Sequence, residues 1–163
     1  MKILIDADSC PRPARDLVLR RALKLGIHII FAANHPIPCE CEIDGVIKSA
    51  QMEICPNTEN AADDRIVELS EKGDLVITRD VPLAKRLVEK DVSVFDDRGR
   101  LFTANNINEL LSLRNFTVSL ADSGLGVDRI ANYSKKDLKT FADSLDRLLT
   151  RLRLPQGKSS VSA

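Results

Sequence analysis

The chain has 163 residues, of which 44% are hydrophobic and 29% are charged, a composition typical of one globular domain with a sizeable core. Its 24 lysines and arginines balance 24 aspartates and glutamates, so the sequence does not predict a strongly basic nucleic-acid binder, and a phosphate-rich partner would need a local patch or a metal ion. No apolar run approaches the roughly 18 residues of a membrane span, and Asp6 and Asp8 interrupt any signal-peptide core, so we expect a cytoplasmic protein without a membrane partner.

Apolar segments alternate along the chain with amphipathic ones, and this alternation predicts an α/β fold. We expect a three-layer α/β/α sandwich with a mainly parallel central sheet. The first predicted strand covers residues 2–5. A helix then begins near Pro11 or Pro13 and ends at Gly26. A second strand is predicted over residues 27–34, and its apolar centre places it inside the sheet.

The middle of the chain is punctuated by prolines and glycines. Within residues 35–60 only one short strand is predicted, over residues 46–50. Residues 60–73 then predict a helix, residues 75–78 a buried strand, and residues 81–91 a helix with Pro82 in its first turn.

The last third begins with a predicted strand over residues 92–95, followed by a hairpin-like segment over residues 100–103 and a helix over residues 107–114. Residues 120–134 predict a loop, and residues 134–154 an amphipathic helix with Ser134 as its N-cap. We therefore predict a single domain over residues 1–153 and a disordered tail over residues 154–163.

Aspartates follow three of the predicted strands. They are Asp6 with Asp8, Asp80, and Asp96 with Asp97, while Asp63 and Asp64 open a helix. Because the carboxyl ends of parallel strands meet at one edge, we expect these side chains to converge in a cleft there. Any single aspartate is equally well explained as a helix cap or a turn residue, so the prediction depends on the repetition.

Carboxylates crowded in one cleft repel each other unless they are protonated or neutralised. Mg²⁺ or Mn²⁺ would neutralise them, because hard cations prefer oxygen ligands. The predicted metal ligands are Asp6, Asp8, Asp63, Asp80 and Asp97. The predicted catalytic residues are Asp6, Asp8, Asp63, Asp64 and Asp80.

The cysteines offer a second metal hypothesis. Cys10, Cys39, Cys41 and Cys55 are expected to be reduced, partly buried thiols. Cys39, Cys41 and Cys55 lie near His35 in the sequence, so zinc binding stays an alternative hypothesis. The spacing of Cys39 and Cys41 is C-x-C, however, whereas zinc sites usually have C-x₂-C. No histidine lies at a useful spacing from Ser9 or Cys10, so a serine or cysteine nucleophile is not predicted.

Five segments together resemble one protein family. The runs IDADSCP, NAADDRIVE, GDLVITRDVPLAKRLVEK, RGRLFTANNI and LKTFADSLDRLL look like the YaiI/YqxD family of uncharacterised bacterial proteins, over about residues 2–150. That family is similar to the PIN-like superfamily, whose members are mostly metal-dependent ribonucleases with acidic residues at strand ends. The resemblance implies a PIN-like (Rossmann-like) fold. The residues that correspond to the family's motifs are Asp6 and Asp8, Asp63 and Asp64, Thr78 and Asp80, and Arg98 and Gly99.

The chain departs from the family pattern in three places. Asn60 stands where the family usually has an aspartate, and Asp96-Asp97 stands where it commonly has Asn-Pro. The Gly-Gly-Pro expected before the last helix is replaced by GLGVDRIANYS.

Three functions stay open on the sequence alone. The first is a ribonuclease-like phosphodiesterase that uses Mg²⁺ or Mn²⁺, with Arg12, Lys85 and Arg98 as candidate contacts to the RNA backbone. The second is a phosphohydrolase of the haloacid-dehalogenase type, with Asp6 as nucleophile and Asp8 as general acid. The third is a catalytically silent domain that binds RNA or a protein.

Overall fold

The structure, a computed structural model, describes residues 1–122 and 133–153. These residues form eight strands and five helices. In chain order they are β1 (Lys2–Asp6), α1 (Arg12–Lys24), β2 (His28–Ala33), β3 (Glu40–Ile43), β4 (Val46–Ser49), β5 (Gln51–Ile54), α2 (Ala61–Leu69), β6 (Leu75–Ile77), α3 (Val81–Glu89), β7 (Ser93–Phe95), β8 (Leu101–Phe102), α4 (Ile107–Asp122) and α5 (Lys135–Arg153).

Six strands form the central sheet in the order β5-β2-β1-β6-β7-β8. The first five strands of that order pair in parallel, and only β8 is antiparallel to its neighbour β7. β3 and β4 form a separate antiparallel hairpin. The predicted α/β fold with a mainly parallel sheet is confirmed, and β1 lies at its centre as the buried run after Lys2 requires.

Helices cover both faces of the sheet, because side chains of each strand alternate between them. Ile3 and Ile5 of β1 pack with α1 and α5, whereas Leu4 packs with α2, α3 and α4. Both clusters consist of buried aliphatic and aromatic side chains, so each face has its own core. The predicted three layers follow from this alternation.

The helix ends use the signals that the sequence contains. Pro13 lies in the first turn of α1, and Gly26, with a φ of 71°, follows its end in the left-handed region. At the start of α5 the Ser134 Oγ accepts from the Asp137 amide at 3.1 Å, and the Asp137 Oδ2 accepts from the Ser134 amide at 3.0 Å. This reciprocal pair is a capping box, and it confirms Ser134 as the N-cap.

Three elements differ from the sequence prediction. β3, which pairs with β4 in the separate hairpin, was not expected. β5 is a parallel edge strand beside β2 in a region where only β4 was expected, and it delivers the chain to the start of α2. α4 continues to Asp122, beyond the predicted end at Arg114 and into the first residues of the predicted loop. The rest of that loop, residues 123–132, and the predicted tail over residues 154–163 lie outside the described residues.

No helix within the described residues has both the length and the apolar character that crossing a bilayer requires.

Candidate functional site: an acidic pocket at the carboxyl ends of the strands

Four carboxylates line one open pocket of about 410 Å³ at the carboxyl edge of the sheet. They are Asp6, Asp8, Asp63 and Asp80, which come from the end of β1, the loop after it, the first turn of α2 and the start of α3. The remaining lining residues are Ser9, Ala62, Arg79 and Arg114. The convergence expected from parallel strands therefore occurs, and α2 reaches the same edge because the strand before it, β5, is parallel as well.

Asp6 is the most deeply placed of the four. It is the last residue of β1 and is only 5% exposed. Its Oδ2 accepts hydrogen bonds from the Thr78 hydroxyl at 2.8 Å and the Ser9 hydroxyl at 2.9 Å. Thr78 Oγ1 in turn accepts from the Asp80 amide at 3.0 Å, so this hydroxyl joins the carboxylate of β1 to the start of α3. Within the described part of the chain, Asp6 Oδ1 has no hydrogen-bond partner.

The pocket holds more negative charge than its surroundings compensate. Burial raises the pKa of Asp6, the Thr78 and Ser9 hydroxyls oppose the rise, and the nearby Asp80 and Asp8 add to it. Burial and the charges of Asp80 and Asp6 raise the pKa of Asp63 to about 6. Such raised pKa values in a cleft are typical of sites that receive a cation or a proton.

Asp80 and Asp8 each have one anchoring hydrogen bond. Asp80 is the N-cap of α3, where its Oδ1 accepts from the Leu83 amide at 3.0 Å. Asp8 Oδ2 accepts from the Asn34 amide at 3.2 Å. The sequence left open whether Asp8 joins the cleft or caps α1. The structure places Asp8 in the lining of the pocket, and α1 begins after Pro11 without a side-chain cap.

Two predicted acidic site residues do not line the pocket. Asp64 is not among the lining residues and pairs with Arg86 at 2.8 Å. Asp97 is 2% exposed and is held by the Arg79 guanidinium, whose Nε lies 2.7 Å from its Oδ2. The proposed roles of Asp64 in catalysis and of Asp97 in metal binding stay predictions.

The predicted RNA contacts also lie outside this pocket. Arg12 pairs with Asp16 at 3.7 Å, and Arg98 pairs with Asp137 at 3.7 Å. Lys85 lies in α3 and does not line the pocket either.

Arg114 is a lining residue that the sequence analysis missed. It is exposed on α4, where its Nη1 donates to the Asn115 side chain at 3.3 Å, and no carboxylate pairs with it within the described residues. No local signal marks it, since its position depends on where α4 passes the sheet edge.

The chemistry of the donors suits a hard divalent cation, because all four acidic side chains offer oxygen. Their arrangement in this structure is not that of a metal site. Across residues 1–122 and 133–153, no group of three or more His, Cys, Asp or Glu side chains is arranged so that it could hold a metal ion. The residues fit Mg²⁺ or Mn²⁺ by donor type.

The four cysteines are free thiols. Burial and the charge of Asp97 raise the pKa of Cys10 to about 12, which keeps this thiol protonated and unreactive. Cys39 and Cys41 lie at the β3–β4 hairpin, and the Cys39 thiol contacts the Ala50 carbonyl oxygen at 3.6 Å. Among the described residues, no group of His, Cys, Asp or Glu side chains is arranged to hold zinc, so the structure does not support the zinc hypothesis.

Comparisons with known proteins give one consistent family. The sequence model of the family described as uncharacterised BCR, YaiI/YqxD family, matches residues 4–151. A UPF0178 protein of Treponema denticola is 46% identical over 151 residues, which cover 93% of each chain. A UPF0178 protein of Stutzerimonas stutzeri is 42% identical over 96% of this chain and 100% of its own length, and one of Myxococcus xanthus is 42% identical over 93% and 96%. No solved structure matches.

Proposed function

The chain belongs to the YaiI/YqxD family of uncharacterised bacterial proteins, and we propose that this member is a phosphodiesterase of the PIN-like type that cleaves RNA with Mg²⁺ or Mn²⁺. One observation carries the proposal: Asp6, Asp8, Asp63 and Asp80 face a single open pocket. Separate caps or turn residues would not need to meet there.

The four carboxylates would hold the cation after moving closer together, since no such group among the described residues is already arranged to hold a metal ion. When bound, it supplies positive charge that neutralises them and lowers the pKa of a coordinated water, which creates a nucleophile at neutral pH. The raised pKa values of Asp6 and Asp63 support this assignment, because the metal-free pocket lacks the positive charge that would stabilise both anions.

The chain's own residues orient the carboxylates and attract the substrate. The Thr78 and Ser9 hydroxyls fix one oxygen of Asp6 and leave the other to face a ligand. Arg114 is available for a phosphate of the RNA backbone. Arg79 also lines the pocket, but its guanidinium pairs with Asp97, which compensates most of its charge.

The haloacid-dehalogenase pattern also includes a strand that ends in two aspartates, here Asp96 and Asp97, which would act together with Asp6. Asp97 instead pairs with Arg79, and Asp96 Oδ1 accepts the Arg98 and Arg100 amides at 2.9 Å. Both carboxylates are thus engaged in the turn after β7, and no observation favours this second function.

Metal binding is tested first, by calorimetry with Mn²⁺ on a matched pair of variants. Asp63→Asn removes a pocket carboxylate, whereas Asp64→Asn removes its neighbour outside the pocket. We expect the wild type and Asp64→Asn to bind with a Kd on the order of micromolar, and Asp63→Asn to bind at least about tenfold more weakly. Equal losses in both variants would contradict the site, and no heat in the wild type would favour the silent domain.

Cleavage is tested with a labelled single-stranded RNA in Mn²⁺. The wild type should cleave it, and Asp6→Asn should not, because the deepest of the four pocket carboxylates is lost. Asp143→Asn is the control, since this exposed aspartate of α5 lies outside the pocket and forms no ion pair within the described residues. Metal binding without cleavage would leave a metal-binding domain and overturn the enzymatic part of the proposal.

A further inference from the structure

A second pocket, of about 370 Å³, lies between α5 and the turn that joins β7 to β8. Arg147, Arg151 and Ser144 of α5 line it on one side, and Leu101 lines it from β8. It shares no lining residue with the acidic pocket. Where the first pocket concentrates carboxylates, this one concentrates guanidinium groups.

Neither arginine of this pocket has an acidic partner within the part of the chain that the structure describes. Among the described residues, Arg147 donates only to the Ser144 hydroxyl, at 3.4 Å. Arg147 and Arg151 are four residues apart on one helix face, where like charges repel each other. A bound anion would relieve this repulsion.

Other arginines that contact α5 are paired, which makes the contrast specific. Arg21 of α1 lies 3.2 Å from Asp146, and Arg98 lies 3.7 Å from Asp137. Acidic residues of α5 therefore neutralise the arginines of neighbouring elements, while the two arginines that face the pocket are left uncompensated.

The rest of the pocket lining is mainly apolar, and the wall formed by the β7–β8 turn packs against α5. Leu101 is 38% exposed and offers an accessible apolar surface, and the buried Leu148 and Phe95 complete the lining. Gly99 lies at the turn, so close to Ser144 that a Cβ there would overlap the serine side chain. The turn thus packs directly against α5 and fixes one wall of the pocket.

We propose that this pocket binds a small phosphorylated organic molecule. The two guanidinium groups would take the phosphate, for which arginine has matching bidentate geometry. Leu101 and Leu148 would contact the organic part. A volume of about 370 Å³ is within the range of small-ligand sites, which are concave and mostly apolar with a few polar groups.

The proposal is tested by calorimetry on the full chain in EDTA, so that no metal can recruit a phosphate to the acidic pocket. The probes are adenosine monophosphate, inorganic pyrophosphate and adenosine, each up to about 5 mM, which detects affinities in the millimolar range. We expect adenosine monophosphate to bind more tightly than pyrophosphate, and adenosine to bind most weakly. If none of the three binds the wild type, the proposal is wrong.

A charge-matched pair of double variants assigns the binding to the two arginines. Arg147→Gln with Arg151→Gln should weaken adenosine monophosphate binding at least about tenfold. Arg20→Gln with Lys24→Gln removes two charges at the same spacing on the exposed face of α1 and should change it less than twofold. Thermal unfolding checks that both double variants fold. Equal weakening in both would indicate a general charge effect and would overturn the proposal.

Leu101→Trp tests the apolar half without altering charge. The larger side chain should reduce adenosine monophosphate binding and leave pyrophosphate binding within twofold of the wild type. Unchanged adenosine monophosphate binding in this variant, or competition by a single-stranded oligonucleotide at far lower concentration, would contradict a small organic phosphate as the ligand.

Discussion

Two of the buried aspartates, Asp74 at the amino end of the parallel sheet and Asp6 at its carboxyl end, differ in how their charge is compensated. At the amino end Asp74, 4% exposed, accepts from the Lys2 amide at 3.0 Å and the Glu71 amide at 2.8 Å, and pairs with the Lys2 ammonium at 2.6 Å. At the carboxyl end Asp6, 5% exposed, receives two hydroxyl groups and no cation from the described residues.

The two pKa shifts express this difference. Burial opposes ionisation of Asp74, but the hydrogen bonds from Lys2 and Glu71 outweigh it and lower the pKa. At Asp6 burial dominates, and the pKa is raised. Removing one partner of a compensated buried charge is destabilising, whereas an uncompensated buried charge costs stability, so its removal can stabilise the fold.

The largest expected effect is at the compensated end. Asp74→Asn should lower the free energy of unfolding at pH 7 by about 2 kcal/mol, since it leaves the half-buried Lys2 ammonium facing an amide. Because the pKa of Asp74 is lowered on folding, this stabilisation is present above pH 3.8 and is lost as the pH falls through the folded-state pKa. Urea unfolding from pH 7 down to pH 3 measures both.

Glu71→Gln is the control for that measurement. Its carboxylate is 81% exposed and lies 3.9 Å from the Lys2 ammonium, so the change should stay within about 0.5 kcal/mol. A loss as large as that of Asp74→Asn would show that surface charge, rather than the buried pair, stabilises this end.

The second effect has the opposite sign. Asp6→Asn should raise the free energy of unfolding of the metal-free protein at pH 7 by about 1 kcal/mol, because it removes a buried charge while its amide oxygen can still accept from Ser9 and Thr78. Urea unfolding in EDTA measures it. A decrease comparable to that of Asp74→Asn would contradict the difference in charge compensation between Asp6 and Asp74.

The third effect depends on pH. The pKa of Asp63 rises from 3.8 to about 6 on folding, so its ionisation costs stability as the pH rises through this window. Asp63→Asn should therefore match the wild type in stability below pH 3.8 and gain over it up to pH 6, where the difference reaches about 1 kcal/mol after solvent screening. Asp64→Asn removes a carboxylate outside the pocket and should show no such window in the same EDTA series.

Much of the fold was predictable because its signals are local. The buried runs of β1, β6 and β7 and the caps at Asp80 and Ser134 each identify an element by themselves. β5 was missed because QMEI lies at the sheet edge and alternates polar with apolar residues, a pattern too short to recognise beside prolines.

The candidate site was predictable only in part. That aspartates meet at one sheet edge follows from parallel strands, and Asp6, Asp8, Asp63 and Asp80 all reach the pocket. Whether Asp63 or Asp64 faces it depends on helix rotation, since neighbours on a helix are about 100° apart. The pairing of Arg79 with Asp97 depends on a contact 18 residues apart along the chain, which no local pattern specifies.

The edges of the sheet bear on how this protein behaves at high concentration. One edge strand, β8, has only two residues, and the other, β5, has four and carries Glu53, which pairs with Arg65 at 3.3 Å. Short or charged edges offer few free main-chain groups to a strand of another molecule, and they disfavour edge-to-edge aggregation. We therefore expect self-association to avoid strand pairing at either edge, and Glu53→Val to increase light scattering on storage relative to the wild type.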